Sequence, residues 1–155
     1  MREIERKFLI SDDSFLSCAT SHRRIAQGYL CHKKVTARVR IYGDEAFITF
    51  KGKSRDGGLS RFEFERQIPM RCAELLLERC GGRIEKIRYL VDYKGYTWEV
   101  DIFEGDNEGL ALAEVELTDI DQQPELPQWI WKEVTSDYHY RNSYLAKKPY
   151  KSWFE

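Results

Sequence analysis

The sequence predicts an α+β fold in which an antiparallel sheet or barrel dominates. Three observations carry this. Charged and apolar side chains alternate with a period of two along much of the chain, turn residues separate the alternating runs, and only three short stretches have helical spacing.

In chain order, Glu3, Glu5 and Lys7 alternate with Ile4, Arg6 and Phe8, as in a strand with two unlike faces. Arg38 and Arg40 flank Val39, and Thr49 and Lys51 flank Phe50. Arg61, Glu63 and Glu65 then alternate with Phe62 and Phe64. Lys86 and Arg88 flank Ile87, Glu99 and Asp101 are interleaved with Trp98, Val100 and Ile102, and Glu114 and Glu116 with Ala113, Val115 and Leu117. Gly43-Asp44, residues 52–58, Lys94-Gly95 and residues 105–109 supply the turns.

Helices are expected in three places. Ser11 is placed to cap a short one over 12–16. Residues 69–80 carry Pro69 at the start and Gly81-Gly82 just past the end, with Cys72, Leu75, Leu76 and Cys80 assigned to the apolar face. Asp137 is placed to cap a last helix that carries Tyr140, Tyr144 and Leu145.

A chain of 155 residues is expected to form a single domain over 1–155. Its apolar fraction of 42%, charged fraction of 33% and net charge of −1 fit a soluble globular protein and argue against disorder. That charge balance also excludes the globally basic surface that attracts nucleic acid, so any polyanion must be held by a local cluster. No apolar run has the length of a signal peptide or of a membrane span of ~18 residues. Cys18, Cys31, Cys72 and Cys80 share no C-x-x-C spacing, which argues against a thiolate zinc site; Cys72 and Cys80 are expected in the core. His22, His32 and His139 fit no ligand spacing and are expected at the surface. A reduced, cytoplasmic protein with no nucleic-acid or membrane partner is the resulting expectation.

The same-parity charges are the chemically informative feature. Periodicity alone fits a sheet with one buried and one wet face, decorated by cross-strand ion pairs. A wet face, however, uses Thr, Ser and Gln freely, whereas here nearly every such position is charged, with signs clustered by strand. Arg38/Arg40 and Lys86/Arg88 repel within their strands, as do Glu3/Glu5 and Glu114/Glu116. A ligand that neutralises both sets removes that cost. Paired carboxylates suit hard divalent cations such as Mg2+ or Mn2+, and forked guanidiniums suit phosphate oxygens.

Glu3-Ile4-Glu5-Arg6-Lys7 resembles the N-terminal ExExK signature of the CYTH domain superfamily, the triphosphate tunnel metalloenzymes. The resemblance continues through Gln27-Gly28-Tyr29-Leu30, Arg38-Val39-Arg40, Thr49-Phe50-Lys51-Gly52, Arg61-Phe62-Glu63-Phe64-Glu65, Lys86-Ile87-Arg88-Tyr89, Trp98-Glu99-Val100-Asp101 and Ala113-Glu114-Val115-Glu116-Leu117. It ends in Glu133-Val134-Thr135, Asp137, Asn142 and Leu145-Ala146, similar to short bacterial members. It implies an eight-stranded antiparallel tunnel with a charged interior and helices packed outside. It further implies Glu3, Glu5, Glu114 and Glu116 as ligands of Mg2+ or Mn2+, and Arg38, Arg40, Lys51, Lys86 and Arg88 as clamps on a phosphate chain. Tyr29, paired with Lys7, would activate the attacking water, with the ammonium expected to lower the phenol pKa. Glu63, Glu65 and Asp101 would support, through water-mediated metal contacts or by orienting the cations; Glu99 and Arg61 are expected to be support residues as well. The expected function is hydrolysis of inorganic triphosphate, with nucleoside or thiamine triphosphate as further substrates. The alternatives are a class IV adenylate cyclase and a non-catalytic polyphosphate- or nucleotide-binding module. Oligomeric state is left open.

Overall fold

The structure, a computed structural model, describes residues 2–32 and 34–155; the side chains of Cys31 and His32 lie outside the described residues, and with them the expectation for His32. Among the described residues nine strands form one antiparallel sheet: β1 (Arg2–Ile10), β2 (Ser21–His32), β3 (Thr36–Tyr42), β4 (Glu45–Lys51), β5 (Ser60–Ile68), β6 (Arg83–Tyr93), β7 (Tyr96–Phe103), β8 (Ala111–Leu117) and β9 (Ile130–Glu133). The order β5-β4-β3-β2-β6-β7-β8-β1 closes on itself, because Arg2, Glu3 and Ile4 of β1 pair with Phe62, Arg61 and Ser60 of β5. The result is an eight-stranded barrel. Strand β9, which the sequence did not signal, extends the same edge of β1 through Phe8↔Glu133 and Ile10↔Ile130.

Register puts the charges on one face. Residues directly opposed across a ladder point the same way, and Glu5 faces Glu116, Lys7 faces Glu114, Glu99 faces Glu114, Arg88 faces Asp101 and Lys51 faces Glu63. The opposite parity is apolar and points outward. On β1, β7 and β8 it supplies Ile4, Phe8, Trp98, Val100, Ala113 and Val115, which are covered by Phe15 and Trp129. Burial of this aromatic-rich layer, at roughly 1.5–3 kcal/mol for each large side chain, holds that wall. No helix among the described residues is long and apolar enough to cross a membrane.

Two α-helices pack on the barrel. Helix α1 (Met70–Glu78) lies against the outer face of β3 and β4, with Ala73 and Leu77 buried beside Val39 and Ala46 and with Leu76 and Cys80 partly buried. The expected apolar face is therefore rotated: Cys72 and Leu75 are exposed. The run Leu75-Leu76-Leu77 gives three adjacent candidates for one stripe, so the helix orientation is fixed by what it packs on. The first expected helix is a 3-10 turn at Ser14–Cys18, tied by Asp12 rather than Ser11, whose carboxylate accepts from the Ser14 amide at 2.8 Å. Asp137 does act as a cap, accepting from the His139 amide at 3.1 Å, but on a 3-10 turn at Tyr138–Tyr140; α2 follows at Asn142–Lys147. His22 is exposed and His139 half-buried.

Helix α2 sits at one end of the barrel. Leu9, Ile84, Phe103 and Leu112 continue the lumen face beyond Lys7, Lys86 and Asp101, and they pack with Leu145 of α2 and with Val134 and Leu110. On the β6, β7, β8 and β1 side this end of the lumen is thus filled by side chains. Two glycines permit close contacts here, Gly82 beneath α2 and Gly28 beneath Cys80 just past α1. A Cβ at Gly82 would collide with the Ala146 carbonyl, and one at Gly28 would lie 2.8 Å from Cys80 Cβ and Sγ.

Candidate active site

Inside the barrel is a cavity of about 240 Å³. Strand β1 contributes Glu3, Glu5 and Lys7 to its lining, β2 contributes Tyr29, β3 Arg38 and Arg40, and β4 Lys51. Strand β5 contributes Arg61, Glu63 and Glu65, β6 Arg88, β7 Glu99 and β8 Glu114 and Glu116. Most of the residues singled out in the sequence therefore meet in one chamber. Lys86 and Asp101 do not line it. Lys86 is fully buried in the wall, donating to Asp101 Oδ2 at 2.6 Å and to Asn142 Oδ1 at 3.1 Å. The apolar cap beneath α2 seals the level of the barrel at which Lys86 lies, which parity along the strand could not reveal.

The cations divide into those with a carboxylate partner and those without. Arg88 grips Asp101 bidentately at 2.8 and 2.9 Å and reaches Glu99 at 2.9 Å. Lys51 donates to Glu3 at 3.1 Å and lies 3.7 Å from Glu63. Arg38 donates to Thr49 Oγ1 at 3.2 Å and lies 3.6 Å from Glu65, while Thr49 itself donates to Glu65 at 2.8 Å. The buried Nε of Arg38 has no hydrogen-bond partner among the described residues, an orphaned donor of a kind that calls for an explanation. Among the described residues Arg40 donates to the Gln27 side chain, at 3.0 Å. Burial, with Arg38 and Arg88 beside it, pushes Arg40 down to about 10. A polyanion here would relieve a crowd of cations.

The acidic side mirrors this. Burial and the neighbouring Glu114 and Glu3 hold Glu5 well above the usual carboxylate range, and burial with Glu3 and Glu99 raises Glu116. Glu3 is raised chiefly by burial. Against full burial, Lys7 at 3.5 Å and Arg88 hold Glu114 well below that range. Glu5 lies directly opposite Glu116 in the ladder, and the carboxylates that crowd it are Glu114 and Glu3. These donors fit a hard divalent cation by their chemistry, though among the described residues no three His, Cys, Asp or Glu side chains form a ready-made metal cluster.

Tyr29 is buried, and its hydroxyl accepts from Gln27 Nε2 at 3.1 Å. Burial raises its pKa; Arg38, Arg40 and Lys7 pull the other way and do not prevail. This corrects the expectation of a lowered phenol. Lys7 stays charged: against burial, Glu114 and Glu5 raise it, and its ammonium also donates to the Tyr140 carbonyl at 3.2 Å. Sequence reasoning assigned no role to Gln27, Thr135, Arg141 or Asn142. Gln27 shares parity with Tyr29, a usable signal; the other three reach the site from the C-terminal segment, which carries no alternation.

A family model described as the CYTH domain matches residues 1–149. The chain is 44% identical over 157 residues to an inorganic triphosphatase of Acetivibrio thermocellus, covering 99% of each. It is 39% identical over 154 residues to an inorganic triphosphatase of Nitrosomonas europaea, covering 94% of this chain and 97% of that one. The crystal structure of the inorganic triphosphatase NE1496 superposes with a TM-score of 0.66 at 35% identity, over 93% of each chain.

Proposed function

The chain belongs to the CYTH domain family, and on that premise we propose that it is a metal-dependent hydrolase of inorganic triphosphate. The observation that carries this is a barrel lumen with like charges massed on separate walls: Glu5 crowded by Glu114 and Glu3 on one, and Arg40 crowded by Arg38 and Arg88 on another. A linear triphosphate with a divalent cation satisfies both. The inorganic triphosphatase relatives, similar over nearly the whole chain, support the choice of substrate.

Arg38, Arg40, Lys51 and Arg88 clamp the phosphate chain, guanidiniums bidentately and Lys51 as a point charge. Glu63, Glu65 and Asp101 orient Lys51, Arg38 and Arg88, as their ion pairs support. Lys86 acts as a positioning residue that holds Asp101 from behind. Glu3, Glu5, Glu114 and Glu116 would hold Mg2+ or Mn2+, which when bound supplies positive charge against the phosphates and acidifies water. Water attacks the terminal phosphorus, the P–O–P bond breaks, and orthophosphate and pyrophosphate leave. Tyr29, as the phenolate that the Lys7 ammonium favours, takes the proton of that water and becomes the neutral phenol. The low dielectric of the lumen strengthens each of these contacts. The free thiols of Cys18 and Cys72 are exposed, which suits a reducing cytoplasm.

Phosphate release from tripolyphosphate, measured beside cyclic AMP formation from ATP, tests the proposal. Metal-dependent phosphate release that stops in excess EDTA is expected. Cyclic AMP as the main product, or hydrolysis that persists in EDTA, would contradict it.

A further inference from the structure

The lumen has two unlike mouths. Where β3 begins, an opening is lined by Lys34, Lys53, Arg61 and Arg141, with hydroxyls from Thr36, Ser54 and Ser143 and no carboxylate among the described residues. It shares Thr36, Ser54, Arg61 and Arg141 with the charged chamber, so the two are continuous. At the far end of β3, Tyr42 lines a second opening with Glu99 and Glu116, to which no Lys or Arg contributes. Among the described residues one rim is lined by cations without acids, and the other by Glu116 and by Glu99, which Arg88 reaches from inside the chamber.

The basic mouth is unusual in leaving its charges unmatched. Arg61 lies directly opposite Glu3 across the β1–β5 ladder, yet Glu3 accepts instead from Lys51 at 3.1 Å. The Arg61 guanidinium donates to the Gly52 carbonyl at 3.3 Å, and neither it nor Arg141 forms an ion pair among the described residues. Both are half-buried, while Lys34 and Lys53 are exposed. Burial and the neighbouring Arg61 push Arg141 below the ordinary arginine range. In a chain of net charge −1 such a cluster is local and faces one channel.

We propose that this basic mouth is an anion-capture subsite, through which linear triphosphate reaches the chamber and at which its unesterified terminal phosphate is first held. The inference rests on the triphosphatase reading of the chamber and adds the route and the residues of capture. Forked guanidiniums match the oxygens of a terminal phosphate. Cations at the rim of a low-dielectric channel focus the field and accelerate capture of an anion by roughly 10–1000-fold, an effect that salt screens over about 10 Å at 0.1 M. The other rim offers no Lys or Arg among the described residues to attract the same anion.

The test is a charge reversal at the rim, Lys34→Glu with Lys53→Glu, against a control with the same change in net charge on α1, Arg71→Glu with Arg79→Glu. Both residues of the control are exposed and outside the lumen. At about 50 mM salt, kcat/KM of the rim variant for tripolyphosphate should fall on the order of 10–100-fold, with the loss mainly in KM, and the gap should close at about 500 mM. The control should stay near wild type. Arg141→Gln should raise KM more than it lowers kcat, with its melting temperature reporting that it folds. An unchanged kcat/KM in the rim variant at low salt, or an equal loss in the control, would overturn the proposal. Should the wild-type chain turn over no tripolyphosphate, the triphosphatase reading fails by itself, and capture is then read from calorimetric binding of tripolyphosphate. There the rim variant should bind at least about 10-fold more weakly at low salt, and equal binding would overturn it.

Discussion

Tyr29 sits where two effects oppose each other. Arg38, Arg40 and Lys7 favour a phenolate, but burial dominates and the phenol ionises above its ordinary value of about 10. A residue that must accept a proton from water is then better poised the higher the pH, so the rate should climb with pH to a strongly alkaline optimum. Tyr29→Phe keeps the ring and removes the oxygen. Turnover should fall on the order of 10²–10⁴-fold, KM should change little, and the alkaline limb should flatten; near-full turnover with an unaltered profile would make Tyr29 a packing residue. Asp101 is the opposite case. Against full burial, Arg88 and Lys86 hold it at about 2. Its folded pKa is depressed below the unfolded value of about 3.9, so its contribution is present above pH ~4 and is lost as pH falls toward 2. Asp101→Ala strands the buried Arg88 guanidinium, while Lys86, which burial holds at about 7 even beside Asp101, loses its acceptor and its proton; the change should cost about 3–5 kcal/mol in urea unfolding at neutral pH. Parity named Lys86, Arg88 and Asp101 as lumen residues from sequence. It could not tell which of them faces open space, because that depends on how far along the barrel the apolar cap extends.

The elements were legible where a period of two persisted, and less so elsewhere. Each charged run became a strand, since alternation states both the conformation and the two faces. The short β9 has no such run: Ile130-Trp131-Lys132-Glu133 pairs with β1 by proximity rather than by pattern. Helix α1 was found but its face was misjudged, as three adjacent leucines leave the rotation to the partner surface. Helix α2 matters most to the site, because it fills the end of the lumen with Leu145 and lends Asn142 to Lys86. Leu145→Ala should cost about 2–5 kcal/mol by leaving a cavity at a fully buried position. Gly82→Ala should displace α2, since backbone rather than a flexible side chain stands in the way. Loss of turnover beyond the loss of folded protein is expected for this variant; a wild-type kcat in a folded Gly82→Ala protein would show that α2 does not support the site.

At the scale of the whole molecule, the barrel stores opposed like charges that no folded chain needs for stability alone. Glu5 beside Glu114 and Glu3, and Arg40 beside Arg38 and Arg88, each make the ligand-free protein less stable than it would be with both signs neutralised. Anything that binds this folded state must stabilise it by linkage. The most direct measurement is the melting temperature with tripolyphosphate, with Ca2+ as a cation chosen to limit turnover, and with the two together. At about 100 times the dissociation constant, linkage gives about 2.7 kcal/mol, or roughly 5–10 °C for a chain of this size. The two ligands together should raise the melting temperature by more than the sum of their separate effects. An unchanged melting temperature at saturating concentrations of both would contradict a lumen built to hold triphosphate and metal at once.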